Sequence, residues 1–150
     1  MISFDTNVLF AAWKRDDPNH RAAAGLIGSF ADSSEVMLAE QSLLELYVLM
    51  RNPVVNAKPL TAAEAVQAIR RIRSNPRWAV VDVPLDGKVM SVVWARAESR
   101  QFAARRIFDV RLAETLKFFG VDTFYTRNIK DFRDCGFKRL INPFEVKGRK

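Results

Sequence analysis

Cysteine, histidine and glycine are scarce in this chain, and each shortage excludes a class of protein. The single cysteine, Cys135, cannot form an intramolecular disulfide, which excludes a disulfide-stabilised scaffold. The single histidine, His20, excludes a metal site built from several histidines. None of the six glycines falls in the spacing of a nucleotide-binding loop, so P-loop and dinucleotide-binding proteins are excluded as well.

Long apolar runs are also missing from the sequence. No uncharged apolar stretch approaches the roughly 18 residues that a membrane helix requires, and we find no charged leader followed by an apolar stretch. We therefore expect a soluble, cytoplasmic protein without a membrane partner. The 150 residues fit one domain, residues 1–150. A domain of this size buries roughly 68–70% of its unfolded surface and needs no disulfide or structural metal to fold.

Positive charge, by contrast, is abundant. The formal net charge is +7, from 24 Lys and Arg against 17 Asp and Glu, and Arg is twice as frequent as Lys. Because guanidinium groups pair with phosphate oxygens in a bidentate manner, this balance indicates a phosphate polyanion as partner. Near the first two candidate contacts, Trp13 is a candidate for a protein-partner surface. The candidate phosphate contacts are Lys14, Arg15, Arg70, Arg71, Arg73, Arg77, Arg96, Arg100, Arg105 and Arg106.

Short apolar runs alternate with helical patterns along the chain. The strand-like runs are residues 2–4, 36–39, 78–83 and 123–126. The helical patterns are residues 11–30, broken near Pro18, then 42–51, a helix opened by the capping box of Thr61 and Glu64, 86–102, and 109–119 before Gly120. Strands that alternate with helices indicate βαβ units. We predict an α/β fold, an α/β/α sandwich whose central, mostly parallel sheet is flanked by helices.

Four acidic residues lie near the ends of strand-like runs or the starts of helices, and each has an ordinary structural explanation. Asp5 follows the first strand and can cap the next helix. Glu45 completes Ser42-Leu-Leu-Glu45, which is itself a capping-box pattern. Asp109 opens a helix, where negative charge is favourable. Asp131 lies in a polar turn, where a solvated carboxylate is common.

The combination of these acids nevertheless indicates a shared site. Open parallel sheets bind ligands at the edge where their strands end. Carboxylates crowded at that edge repel one another and raise their pKa values, unless a divalent cation neutralises them. Oxygen ligands without a nearby His or Cys suit Mg²⁺ or Mn²⁺ rather than Zn²⁺. The pattern therefore favours a metal-dependent nuclease.

The order and spacing of six motifs resemble those of PIN-domain ribonucleases, and specifically of the VapC toxins of bacterial and archaeal toxin–antitoxin systems. The resemblance covers nearly the whole chain. The motifs are Phe4-Asp5-Thr6-Asn7-Val8-Leu9, Gln41-Ser-Leu-Leu-Glu45-Leu-Tyr47, Arg51-Asn-Pro53, Phe108-Asp109-Val-Arg-Leu-Ala113, Thr126-Arg-Asn-Ile-Lys-Asp131-Phe132 and Ile141-Asn-Pro-Phe144.

The resemblance implies an acidic site that holds one or two Mg²⁺ ions, with Mn²⁺ as the substitute. Asp5 and Asp109 would be the principal ligands, and Glu45 a ligand or a support for one. Asp131 would act through water, because relatives often carry an acid where this chain has Asn128. The full set is Asp5, Glu45, Asp109 and Asp131, with Thr6, Thr126 and Asn128 as polar neighbours. Glu40 is a rival to Glu45 but lies outside the matching Leu-Glu-Leu-Tyr context.

The same resemblance implies a function and two protein partners. The substrate would be RNA, cut by phosphodiester hydrolysis into products with 5′-phosphate and 3′-hydroxyl ends. A small cognate antitoxin would cover the groove, and the toxin would form a two-fold homodimer. Two alternatives remain at this point: a nuclease of the same fold that acts on structured DNA, and a PIN-like module that binds nucleic acid or a partner without catalysis.

Overall fold

In a computed structural model, residues 1–145 are described and form seven helices and five strands. The strands are β1 (Ile2–Phe4), β2 (Met37–Ala39), β3 (Ala79–Val81), β4 (Thr123–Tyr125) and β5 (Arg139–Ile141). The helices are α1 (Thr6–Trp13), α2 (His20–Ser29), α3 (Glu40–Arg51), α4 (Ala62–Arg73), α5 (Lys88–Ala97), α6 (Arg106–Phe118) and α7 (Ile129–Phe132).

All of the strand pairings are parallel. Strand β1 pairs with β4, and β4 pairs with β5, while β2 pairs with β3. A parallel bridge between Ile2 and Val36 joins the two groups, which gives the order β3-β2-β1-β4-β5. Parallel strands need crossover connections, and the helices supply them. The predicted α/β fold with a parallel central sheet is confirmed.

Helices cover both faces of the sheet. On one face, β1 and helices α1 to α4 enclose a core in which the Phe4 ring packs against Phe30, Trp78 and Tyr125. On the other face, α6 and α7 pack on Phe124 of β4. Burial on both faces explains why the strands are short, nearly continuous apolar runs. Within residues 1–145, no helix is both long and apolar enough to cross a membrane.

Two predicted helix starts are wrong. Helix α3 begins at Glu40, so Ser42 lies inside its first turn and does not form a capping box with Glu45. The Ser42 hydroxyl is instead buried and has no hydrogen-bond partner within the described residues. Helix α6 begins at Arg106, which leaves Asp109 in the first turn rather than at the start. By contrast, the capping box of Thr61 and Glu64 opens α4 as predicted.

The sequence analysis also missed elements at both ends of the chain. Helix α1 begins directly after Asp5 rather than at residue 11, because the Asp5 carboxylate caps it. Helix α7 and strand β5 were read as polar turn and loop, although α7 carries Asp131. Both are very short, and β5 is an edge strand that begins with the exposed Arg139, so neither gives a clear periodic signal.

Candidate active site

Asp5 lies at the carboxyl end of β1, in the middle of the sheet. Its Oδ1 accepts a hydrogen bond from the Thr6 backbone N–H at 2.7 Å, which caps α1. Its Oδ2 accepts hydrogen bonds from Asn7 Nδ2 and from Thr126 Oγ1, each at 2.6 Å. Thr126 directly follows β4, so the parallel β1–β4 register brings the two side chains together. Four groups, one of them from the neighbouring strand, therefore fix this carboxylate.

Burial raises the pKa of the Asp5 carboxyl to about 6 from an ordinary value of 3.8. The hydrogen bonds from Thr126 and Thr6 lower the pKa and offset part of this effect. The negative charges of Glu45 and Asp109 raise it further. Asp5 thus lies in a buried position where negative charge is already in excess.

Glu45 reaches the same place from α3. Its Oε2 accepts a hydrogen bond from Thr6 Oγ1 at 2.9 Å, and its Oε1 accepts one from Gln41 Nε2 at 3.1 Å. Thr6 therefore bridges the first strand-to-helix turn and α3. The rival acid Glu40 instead forms a salt bridge with Arg73 of α4. The structure brings Glu45, and not Glu40, to Asp5.

Asp109 approaches from the first turn of α6 and is half-buried. Burial raises the pKa of its carboxyl to about 6, and the charges of Asp131 and then Glu45 raise it further, whereas Arg106 lowers it. The mutual effects on pKa show that the carboxylates of Asp5, Glu45 and Asp109 influence one another. These three acids come from three different elements that meet at one edge of the sheet.

The three acids line one open cleft of about 500 Å³. Thr6, Asn7 and Asn128 contribute polar groups to it, and the apolar side chains of α3 form one wall. On that wall, Leu44 and Val48 are 63% and 62% exposed. The cleft is therefore accessible to a large substrate from the α3 side.

Asp131 occupies a different position from the other three acids. It is exposed on α7 and lines an adjoining cavity of about 610 Å³, and not the cleft itself. Asn128 lines both spaces. The charge of Asp131 nevertheless raises the pKa of Asp109, so the two side chains are electrostatic neighbours. This arrangement suits a carboxylate that acts at the margin of the site.

The donor set fits a hard divalent cation. Within residues 1–145, no three Asp, Glu, His or Cys side chains are already close enough to form a metal site. Three carboxylates that raise one another's pKa values, however, leave negative charge that a cation would compensate. All of the polar side chains that line the cleft offer oxygen or amide groups, and none offers sulfur or imidazole. Such a site suits Mg²⁺ or Mn²⁺.

The ten predicted phosphate contacts divide into two groups. Four of them form salt bridges with acids of the chain: Lys14 with Asp16, Arg73 with Glu40, Arg96 with Glu114 and Asp134, and Arg106 with Asp134. The other six are exposed and form no salt bridge within the described residues: Arg15, Arg70, Arg71, Arg77, Arg100 and Arg105. Arg71 lines cavities beside Trp13 and not the acidic cleft.

Sequence reasoning missed several residues around the site. Asn7 donates to Asp5 and accepts from the Arg127 backbone N–H at 3.1 Å, although its position next to the Asp-Thr pair could have signalled it. Arg127, Lys130 and Arg133 line the cavity next to the cleft, and they too form no salt bridge within residues 1–145. No sequence signal separated these three cations from the other basic residues of the chain.

Comparison with known proteins gives consistent relatives for both sequence and structure. Ribonuclease VapC24 of Mycobacterium tuberculosis is 44% identical over 148 residues, which are 99% of this chain and 100% of that protein. The crystal structure of VapC20, a sarcin-ricin loop cleaving toxin of the same organism, has a TM-score of 0.66 at 22% identity and covers 91% of this chain and 96% of its own. FitAcB of Neisseria gonorrhoeae has a TM-score of 0.63 at 19% identity and covers 97% and 100%.

At these identities the two crystal structures establish the fold alone. The model of the PIN domain family matches residues 2–138, which include all four predicted acids. The sequence relative is close enough, and covers enough of the chain, to establish the family independently. The chain thus belongs to the PIN-domain family and, within it, to the VapC-type ribonuclease toxins.

Proposed function

We propose that this protein is a Mg²⁺-dependent endoribonuclease and the toxin of a type II toxin–antitoxin pair. The observation that carries this proposal is the open cleft in which Asp5, Glu45 and Asp109 converge beside a basic cavity. Acidic groups that hold a cation, flanked by positive side chains, are what hydrolysis of a polyanionic phosphodiester requires. The 44% identity to Ribonuclease VapC24 supports RNA as the substrate.

Each residue of the cleft has a proposed role. Asp5 and Asp109 would hold the cation, and Glu45 would complete its ligand set or orient a ligand water. Thr6, Asn7 and Thr126 keep two of these carboxylates in place through the hydrogen bonds described above. When bound, the ion would supply a more acidic water and compensate the charge that develops on the phosphate. Asp131 would act through water at the margin.

RNA binding would use the cations next to the cleft, and their removal gives a specific expectation. The triple variant of Arg127, Lys130 and Arg133 to Ala should lower the slope of log affinity against log salt by about 2, because each lost phosphate contact on a single strand removes about 0.7. The measurement is a salt titration of RNA binding in EDTA, which prevents cleavage.

A control triple variant removes the same charge elsewhere. Arg70, Arg71 and Arg77, changed to Ala, belong to or follow α4, and Arg71 lines cavities beside Trp13. We expect this variant to keep a salt slope close to that of the unaltered protein. An equal loss of slope in both triple variants would mean that overall charge, and not the cavity next to the cleft, drives binding.

Trp13 supports the proposal of an antitoxin partner. This half-exposed ring stacks on Phe10 with centroids 5.7 Å apart and lines three adjacent cavities. One of them, of about 370 Å³, is bordered mainly by apolar side chains that include Ile27, Met50 and Trp78. An apolar groove of this kind suits the apolar face of a short helix. We also propose the two-fold homodimer of the family, which light scattering of the purified toxin would measure.

The direct test of the function is cleavage of total cellular RNA by purified, antitoxin-free protein. We expect fragments in the presence of Mg²⁺ and none in EDTA. Sequencing of the 5′ ends would identify the RNA and the cut site. A parallel incubation with branched and hairpin DNA tests the DNA nuclease alternative, and cleavage of DNA alone would overturn the assignment to RNA. Folded protein that cuts neither substrate would favour a binding module.

The toxin proposal makes a separate prediction in cells. Expression of the chain alone should arrest growth, and expression of the Asp109→Asn variant to the same level should not, because Asp109 is a proposed ligand of the ion. Colony counts and culture density after induction measure the effect. Arrest by both proteins would show that toxicity does not depend on the acidic cleft.

A further inference from the structure

Gln41 makes three side-chain hydrogen bonds beside the acidic cleft. It lies in the first turn of α3 and is 8% exposed. Its Nε2 donates to Glu45 Oε1 at 3.1 Å and to the Phe108 carbonyl oxygen at 2.9 Å, while its Oε1 accepts from Arg111 Nη1 at 2.8 Å. Phe108 directly precedes Asp109. One amide therefore joins the carboxylate of Glu45 to the backbone that carries Asp109.

The chemistry of the three partners permits only one orientation of this amide. A guanidinium group can only donate hydrogen bonds, whereas a carbonyl and an ionised carboxylate can only accept them. A flipped amide would place the Gln41 oxygen against two acceptors and its N–H groups against Arg111. Arg111 is held in turn by Asp82, at 3.2 Å from its Nη2. The amide is thus locked with its N–H groups toward the cleft.

Glu45 needs such a lock more than the other acids do. Asp5 is buried and accepts three hydrogen bonds from groups that are all near it in the sheet. Glu45 is exposed, has a longer side chain, and is held only by Thr6 on one oxygen and Gln41 on the other. Without Gln41, its carboxylate would keep one hydrogen bond and gain rotational freedom. Ordering it upon ion binding would then cost conformational entropy.

We propose that Gln41, oriented by Arg111, is a positioning residue that fixes the carboxylate of Glu45 relative to Asp109 for cation binding. This inference rests on the proposed function. Gln41 does not line the cleft and so would not touch the substrate or the ion. A purely structural role, in which it only ties α3 to α6, makes a different prediction. Loss of such a tie would lower stability but would leave cation affinity unchanged.

The test is calorimetric titration of the apoprotein with Mn²⁺, together with the Mg²⁺ dependence of RNA cleavage. Gln41→Met keeps the length of the side chain but removes all three hydrogen bonds. It should weaken Mn²⁺ binding about tenfold and raise the half-maximal Mg²⁺ concentration by the same factor, since supports of metal ligands have effects of about 10–100-fold. The cleavage rate at saturating Mg²⁺ should change less than the Mg²⁺ requirement.

Variants of Arg111 make the test independent of how well Gln41→Met folds. Arg111→Met should also weaken Mn²⁺ binding, whereas Arg111→Lys, which keeps a donor toward Gln41, should restore most of the affinity. The double variant Gln41→Met with Arg111→Met should be no weaker than Gln41→Met alone, because Arg111 acts through Gln41. Asp82→Asn is the matched control and should bind Mn²⁺ normally.

The outcomes separate this inference from the proposed function. Unchanged Mn²⁺ affinity in both Gln41→Met and Arg111→Met, with only a lower free energy of unfolding, would overturn the positioning role and leave the nuclease proposal intact. If the unaltered protein neither binds Mn²⁺ nor cuts RNA, the proposed function fails first and the inference fails with it.

Discussion

Asp5→Asn should reduce Mg²⁺-dependent RNA cleavage by about 10²–10³-fold and at the same time stabilise the protein in the absence of metal. An amide oxygen is a poorer ligand for Mg²⁺ than a carboxylate, and several kcal/mol of metal-derived charge stabilisation correspond to a factor of this size. The loss of activity would therefore come from the site and not from unfolding.

The gain in stability follows from the burial of Asp5. Its pKa, raised from 3.8 to about 6, corresponds to a cost of ~3 kcal/mol for keeping the group ionised at neutral pH. The amide removes this cost but makes weaker hydrogen bonds to Thr6, Asn7 and Thr126, so we expect a net gain of about 1 kcal/mol. For a chain of this size, that gain raises the melting temperature by about 2–4 °C.

Cleavage assays and thermal denaturation in EDTA measure both effects on one preparation. Asp32→Asn serves as the control, because Asp32 is exposed after α2 and lies outside the cleft. It should leave both activity and melting temperature unchanged. Full activity in Asp5→Asn would contradict the proposed role of the acidic cleft. A large loss of stability would show that the carboxylate is needed for the fold.

Acid should weaken Mg²⁺ binding by about 100-fold between pH 7 and pH 5. Asp5 and Asp109 both have a pKa raised to about 6, mainly by burial. Both must be deprotonated to hold the ion, so at pH 5 each loses about tenfold in available ligand. Affinity should rise with pH and level off above about pH 7. A calorimetric Mn²⁺ titration at several pH values measures this dependence directly.

The stability of the metal-free protein should show the opposite trend with pH. Between pH 3.8 and about 6, the folded state holds protons on Asp5 and Asp109 that the unfolded chain has already released. The contribution of these acids to stability therefore decreases as pH rises through this window. Saturating Mg²⁺ should reduce or reverse the decrease. A Mn²⁺ affinity that does not change between pH 5 and pH 7 would contradict a site formed by these two carboxylates.

Some features of the site could be read from the chain because they are local in sequence. Asp5 follows an apolar strand and opens a helix, and this arrangement alone places it at the carboxyl edge of a parallel sheet. The capping box of Thr61 and Glu64 depends on residues three apart, and it was predicted correctly for the same reason. The same pattern at Ser42 and Glu45 was misleading, because α3 had already begun at Glu40.

Other features depend on contacts between distant residues. Thr126 reaches Asp5 because β1 and β4 are parallel neighbours, although 121 positions separate them in the chain. Gln41 and Arg111 meet across 70 positions, and no local pattern marks either of them. The choice between Glu40 and Glu45 likewise follows from which face of α3 turns toward Arg73 and which toward Thr6.

The sequence by itself determined the α/β class, the four acids and the excess of positive charge, because strand and helix periodicity and residue chemistry are properties of short segments. Only the tertiary structure decided which acids share a cleft, that Asp131 lines the neighbouring cavity, and that Arg127, Lys130 and Arg133 accompany it. These arrangements arise when separate elements pack on one sheet, and packing joins residues whose separation along the chain carries no signal.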